Sequence, residues 1–167
     1  MRVWSWMSWG YGFEGQLVWA TNRWHSRAAH PDSLQNPYED PMTWQGDAGP
    51  GVRNPYGNGD GVFLYPPESV FEGDGGPVLE PPVGCQRGEM LRDGIEDYEY
   101  FVILSRLLEE KADSLSDKEL GRYAALLKPP ASVFVDRRKY SFDPAPLEEH
   151  RDKLARAIVE LSRHEAR

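Results

Sequence analysis

The sequence predicts an α/β fold. Three observations carry that expectation: two continuous apolar runs, Gln16 to Ala20 and Gly61 to Tyr65, and a C-terminal stretch whose apolar residues recur at helical spacing. An apolar run without alternation marks a strand covered on both faces, as in a parallel sheet flanked by helices. The two runs are therefore expected to be two buried strands, and the residues after Arg87 a helical segment covering them.

The elements follow in order. Arg2 to Gly12 fits a short helix with Trp4, Met7, Ser8 and Tyr11 on one side, stopped by Gly10 and Gly12, because glycine readily takes the left-handed conformation that ends helices. Between the two apolar runs lie about 40 residues rich in Gly, Pro, Asn and Asp, and a connection of that length without secondary structure of its own is usually functional or disordered. A helix is expected from about Gly88 to Ala112, with Leu91, Ile95, Tyr98, Val102 and Leu108 forming its apolar face and Phe101 and Leu104 widening it. Ser116-Asp117-Lys118-Glu119 has capping-box spacing and opens a short helix that buries Leu120, Tyr123, Ala124 and Leu127 and ends at Pro129-Pro130. A last helix opens around Asp143-Pro144 with Leu147, Leu154, Ile158 and Leu161 inward.

At 167 residues the chain can build one domain with a sizeable core. Residues 1–112 are expected to hold the strands, loops and long helix, and residues 113–167 the terminal helices of the same domain. Residues 1 to 86 carry 10 acids against 4 bases, and the net charge of -8 speaks against nucleic acid, whose phosphates need clustered Lys and Arg. The only basic run, Arg137-Arg138-Lys139, reads as a solvated loop. The single Cys85 excludes an internal disulfide and reads as a buried or unreactive thiol. No stretch approaches the roughly 18 apolar residues of a membrane span, and Met1 to Phe13 lacks the features of a signal peptide, so neither a membrane nor an export signal is expected.

All six tryptophans fall within the first 44 residues, and Trp19 and Trp24 flank Asn22 at the end of the first apolar run. The apolar face of a pyranose stacks on an indole while an amide bonds its hydroxyls, so this cluster suggests a sugar site. Against it stands the ordinary role of Trp as a large core residue. Two isolated strands cannot close a sheet, and a parallel pair leaves both edges open. The elements are therefore expected to complete themselves with further strands, supplied by a larger domain or by a partner.

Three blocks carry a resemblance. Gly15-Gln16-Leu17-Val18-Trp19-Ala20 with Asn22 and Trp24, then Asn58-Gly59-Asp60-Gly61-Val62-Phe63-Leu64-Tyr65-Pro66, then Arg87, Glu89 and Leu91-Arg92-Asp93-Gly94-Ile95-Glu96-Asp97-Tyr98-Glu99-Tyr100, resemble in order and spacing the C-terminal part of the catalytic domain of glycoside hydrolase family 123. The third block is the most specific. Gly88 stands where an apolar residue is expected, and Arg27 to Tyr56 has no counterpart.

The resemblance implies the C-terminal portion of a (β/α)8 barrel that removes terminal β-linked N-acetylgalactosamine, with the substrate's acetamido group as nucleophile and an adjacent Asp-Glu pair as the catalytic groups. That pair belongs to an earlier strand. Glu39-Asp40, in a Pro-flanked loop, and Glu96-Asp97, within a helix, do not take its place, so no catalytic residue is assigned and the isolated chain is expected to be inactive. Barrel sites form at the C-terminal strand ends, which implies Trp19, Asn22, Trp24 and Tyr65 as substrate-binding residues.

Asn58-Gly59-Asp60-Gly61 lies at the other end of its strand and reads as a turn, not a calcium loop. Arg92, Glu96 and Asp97 read as ion pairs on the helix surface or to a loop. His25, His30, His150 and His164 show no metal-ligand spacing, and the first two read as solvent-exposed loop residues. No metal and no cofactor are expected. The expected partners are a glycan, together with either the missing upstream part of the barrel or a self-association partner. The alternative is a freestanding noncatalytic carbohydrate-binding or protein-interaction domain. Full-length relatives are expected to be exported.

Overall fold

The computed structural model describes residues 1–46, 49–72 and 77–163. In chain order these form helix α1 (Arg2–Gly10), strands β1 (Met42–Trp44), β2 (Pro55–Asn58) and β3 (Leu64–Tyr65), a single helical turn α2 (Ser69–Glu72), β4 (Val83–Gly84), the long helix α3 (Gln86–Lys111), α4 (Asp117–Ala124), β5 (Phe134–Asp136), β6 (Lys139–Tyr140) and helix α5 (Ala145–Arg163). The fold mixes helices with small antiparallel strand pairs, β1 with β2, β3 with β4 and β5 with β6, and these described strands close no barrel. The chain divides into two compact units, one of Met1–Gln16 with Met90–Arg167 and one of Leu17–Glu89.

The helical unit follows the local signals closely. Gly12, at φ +70°, takes the left-handed conformation; its amide bonds the Trp9 carbonyl at 3.0 Å and the Phe13 amide bonds the Ser8 carbonyl at 2.8 Å, the paired stop of a Schellman motif. Ser116 and Glu119 form the capping box that opens α4. A 3₁₀ turn at Ala125–Leu127 ends before Pro129-Pro130, and Asp143 accepts the Ala145 amide at 3.0 Å where α5 begins.

The core of this unit collects Trp6, Phe101, Leu104, Leu154 and Leu161, all fully buried, around which Leu108, Tyr123, Val133, Leu147 and Ala157 close. Each such side chain contributes about 1.5–3 kcal/mol. The aromatic packing is directional: Trp6 meets Phe101 edge-on at 5.0 Å and Trp9 stacks on it at 5.1 Å.

Which helix faces are buried differs from expectation. On α1 the buried residues are Ser5, Trp6 and Ser8, while Tyr11 of the expected stripe is exposed. On α3 the buried line is Gly94, Asp97, Phe101, Leu104 and Leu108, and Ile95, expected inward, is 51% exposed. Gly94 lets α1 come close: a Cβ there would lie 2.8 Å from Ser5 Oγ and 3.0 Å from the Arg2 carbonyl.

The buried line of α3 includes a carboxylate. Asp97, expected at the surface, is fully buried. Arg2 Nε donates to its Oδ2 at 2.6 Å and Arg2 Nη2 to its Oδ1 at 2.9 Å, while Trp6 Nε1 donates to Oδ2 at 2.8 Å. Arg151 Nε lies 2.8 Å from Oδ1 as an ion pair without hydrogen-bond alignment. α1, α3 and α5 are thus tied through one acidic group. The hydrogen bonds it donates to Asp97 hold the Arg2 guanidinium above its ordinary pKa, against the opposing effect of its own burial. Arg92 and Glu96 do pair at the surface, 3.5 Å apart.

Arg137 and Arg138 form the turn of the β5/β6 hairpin and Lys139 opens β6, while Asp136 Oδ1 accepts the amides of Arg138 and Lys139 at 2.7 and 2.9 Å. No helix among the described residues is long and apolar enough to cross a membrane.

The Leu17–Glu89 unit departs most from expectation. Gln16 to Ala20 forms no strand: its backbone has no ladder partner and Leu17 is 84% exposed. Of the second run only Leu64 and Tyr65 are strand, and they pair antiparallel with Val83–Gly84. The residues after the first run meet those before β3 through an isolated antiparallel bridge, Asn22 to Val62, so the parallel pair of buried strands is replaced by antiparallel contacts. Val62 and Phe63 are buried as a core run should be. Apolar composition alone decided neither cover nor pairing, since Leu17 and Leu64 are exposed.

The long connection is structured, since it holds β1 and β2. Polar bonds supply its cohesion, with few large buried apolar residues. Gln35 Nε2 donates to the Asp40 and Met42 carbonyls at 2.9 and 2.7 Å, Thr43 Oγ1 to the Asp60 carbonyl at 2.6 Å, and Tyr38 Oη to the Pro66 carbonyl at 2.7 Å. Gly88 also finds its reason: a Cβ there would lie 2.9 Å from the Phe63 carbonyl oxygen, so an apolar side chain would not fit without displacing backbone.

Candidate functional site

Within the Leu17–Glu89 unit an open cleft of about 420 Å³ is walled by Trp19, Trp44 and Tyr56. That volume lies in the range of small-molecule sites. Its remaining lining is polar, from Thr43, Gln45, Arg23 and the backbone of Gly46.

Each wall is held by the local sequence. Trp44 ends β1, and its Nε1 donates to Asp40 Oδ2 at 2.9 Å. Tyr56 stands on β2 and meets Trp19 edge to face, with ring centroids 6.1 Å apart. Trp19 is 48% exposed, so its ring is open to the cleft while its Nε1 donates to Asp60 Oδ2 at 3.1 Å. The turn that presents Asp60 has Gly59 at φ +72° and Gly61 at φ +73°, and a Cβ on Gly61 would come within 2.7 Å of the Trp19 ring. Gly59-Asp60-Gly61 therefore turn the chain as expected, after Asn58 has closed β2, but the turn borders the site that was expected at the opposite end of the strand.

Asp40 organises the side behind Trp44. His30 Nε2 lies 2.9 Å from its Oδ2, and the Met42 amide donates to its Oδ1 at 3.2 Å. Burial of Asp40 opposes its ionisation, yet the hydrogen bonds from His30, Trp44 and the Met42 amide outweigh it, and the carboxyl is held below its ordinary pKa. His30 is thus a partly buried partner of Asp40, contrary to the expected solvent-exposed loop residue. His25 is half-buried, accepts the Gln35 amide on Nδ1 at 3.3 Å, and has its pKa lowered chiefly by burial. His164 lies outside the described residues.

Of the four residues expected to touch substrate, only Trp19 lines the cleft. Asn22 bridges to Val62 through its backbone. Trp24 Nε1 donates to the Leu64 carbonyl at 2.5 Å, and Tyr65 packs on Tyr38 at 5.1 Å while its hydroxyl accepts from Arg87 Nη2 at 3.2 Å. These three fasten the segments around the cleft. Trp44, Gln45 and Tyr56 escaped the sequence reading because they lie in the connection that has no counterpart in the resemblance, and Arg23, between Asn22 and Trp24, was not singled out. The one usable signal was the density of aromatic and amide residues between Tyr38 and Tyr56.

Cys85 is half-buried, and its Sγ donates to the Phe63 carbonyl at 3.1 Å. Arg87 Nε donates to the Val62 carbonyl at 2.9 Å and its Nη2 to the Tyr65 hydroxyl, which anchors that side chain inside the fold. No family model, curated protein or solved structure matches this chain.

Proposed function

We propose that the Leu17–Glu89 unit binds a saccharide in the cleft between Trp19, Trp44 and Tyr56, and that it does so without performing hydrolysis. The supporting observation is the state of Trp19: its indole N–H is already satisfied by Asp60 while its ring stays half open beside two further aromatic walls. A Trp used for packing alone would be covered. Here the apolar faces serve as platforms for a pyranose ring, and Gln45 and Thr43 offer hydrogen bonds to its hydroxyls.

The resemblance of the three blocks extends the proposal. The chain would act as the closing segment of a glycosidase that resembles β-N-acetylgalactosaminidases, with the other barrel strands and the Asp-Glu pair supplied by further sequence. Asn22, Trp24 and Tyr65 would then position the sugar-binding wall. The open edges of the two-stranded pairs are compatible with further strands adding there.

Titration of the protein with oligosaccharides ending in β-N-acetylgalactosamine, and with other neutral oligosaccharides, tests the reading through tryptophan fluorescence. Saturable quenching that Trp19→Ala abolishes, with the circular dichroism spectrum unchanged, is the expected result. Fluorescence indifferent to every saccharide, or quenching that survives Trp19→Ala, overturns it.

A further inference from the structure

The cleft carries a charge that a neutral sugar does not need. Among its described lining residues Arg23 is the only charged one. The unit around it is acidic, with ten Asp and Glu against four basic residues, all arginines, between Leu17 and Glu89. Two of those four sit on the cleft tryptophans: the Arg23 guanidinium carbon lies 5.3 Å from the Trp19 ring centroid and that of Arg53 lies 5.7 Å from the Trp44 centroid. Neither has an ion-pair partner among the described residues, whereas Arg87 is bound to Val62 and Tyr65.

With its central carbon 5.3 Å from the Trp19 ring centroid, the Arg23 guanidinium keeps N–H donors available for an anion. A Cβ on Gly46 would lie 3.2 Å from Arg23 Nη2, so the absence of a side chain at Gly46 leaves room for the guanidinium. The carboxylates beside the cleft tryptophans are engaged at the indole edges, Asp60 by the Trp19 N–H and Asp40 by the Trp44 N–H. The cleft therefore combines a cation that can pair with an anion and aromatic walls that can take a ring.

Resting on the reading of the cleft as a saccharide site, we infer that its ligand is an acidic saccharide, whose carboxylate or sulfate pairs with Arg23 while its ring lies against the aromatic walls. Arg53 adds a second positive group at Trp44, which favours an oligosaccharide bearing more than one acidic unit.

The test compares three probes on the unmodified chain: an oligogalacturonide, which carries carboxylates alone; a sulfated galacto-oligosaccharide, which carries sulfate alone; and the unsulfated galacto-oligosaccharide. At low salt at least one acidic probe is expected to bind about tenfold more tightly than the neutral one, which corresponds to about 1.4 kcal/mol, and the preference should shrink as salt rises. Which acidic probe wins identifies the anion. Arg23→Gln should abolish the preference, and Arg23→Lys should keep part of it. Equal binding of neutral and acidic probes overturns the inference and leaves the saccharide reading standing. A preference unaffected by salt or by Arg23→Gln overturns the inference too. Failure of all three probes removes both.

Discussion

Removing the charge of Asp97 should be the most damaging conservative substitution in the helical unit. In Asp97→Asn the side chain keeps its shape and one acceptor oxygen but presents an N–H₂ group where a guanidinium or indole N–H now donates, so donor faces donor. Three donors are affected, from Arg2 at 2.6 and 2.9 Å and from Trp6 at 2.8 Å, and the ion pair from Arg151 at 2.8 Å is lost as well. Breaking a buried pair by removing one partner costs about 3–5 kcal/mol. The Arg2 and Arg151 side chains are 18% and 32% exposed, so both can recover some hydration and the lower end applies, about 3 kcal/mol. For a cooperative unit of roughly 100 residues that is a fall in Tm of about 12 °C or more.

Urea unfolding followed by helical circular dichroism measures this effect. Arg2→Met supplies the comparison, because Asp97 would still hold Trp6 and Arg151, and its cost should be about 1–2 kcal/mol. Combining Arg2→Met with Asp97→Asn should cost less than the sum of the two. An Asp97→Asn cost below about 1 kcal/mol, the level of a surface ion pair, would refute the assignment of Asp97 as the tie between α1, α3 and α5.

The other predictions concern pH and close packing. His150 sits between Trp6 at 5.6 Å and Phe101 at 6.3 Å and donates from Nε2 to the Leu126 carbonyl at 2.8 Å, and burial lowers its pKa from 6.5, outweighing that hydrogen bond, with Lys153 adding to the lowering. The unfolded chain therefore takes up the proton first, so His150 adds its stability above pH 6.5 and loses it as the pH falls towards the folded pKa. The urea midpoint should decline below that pH, and in His150→Phe the decline should be shallower; an unchanged slope would contradict the assignment. Gly94→Ala should destabilise, because its Cβ would meet backbone atoms of Arg2 at 3.0 and 3.2 Å, while Gly121→Ala meets nothing within 4 Å and should stabilise. The expected magnitudes are about 1–3 kcal/mol of overpacking against a helix-propensity gain of about 1 kcal/mol, and opposite signs in thermal melts are the check.

Legibility followed the range of the interactions involved. The stop at Gly12, the Ser116–Glu119 box, the end before Pro129-Pro130 and the start at Asp143 were readable because each is decided by groups within a few residues of one another. Trp19 was singled out by its place beside amide and aromatic neighbours, and it is the one expected site residue that lines the cleft. Its companions Trp44 and Tyr56 were hidden, because β1 and β2 are only three and four residues long and their pairing, not their composition, brings those rings together.

The same distinction separates what the amino-acid order alone determined from what the folded chain decided. Order alone determined where helices begin and end and which segments are too polar to span a membrane, since capping, chain stiffness and hydropathy act locally. The tertiary structure decided which face of α3 is buried, turning Asp97 inward and Ile95 outward, because Arg2, Trp6 and Arg151 arrive from distant parts of the chain to satisfy the carboxylate. It also decided that Gln16 to Ala20 is no strand, since a strand exists only where another backbone meets its hydrogen-bonding groups, and among the described residues none does there.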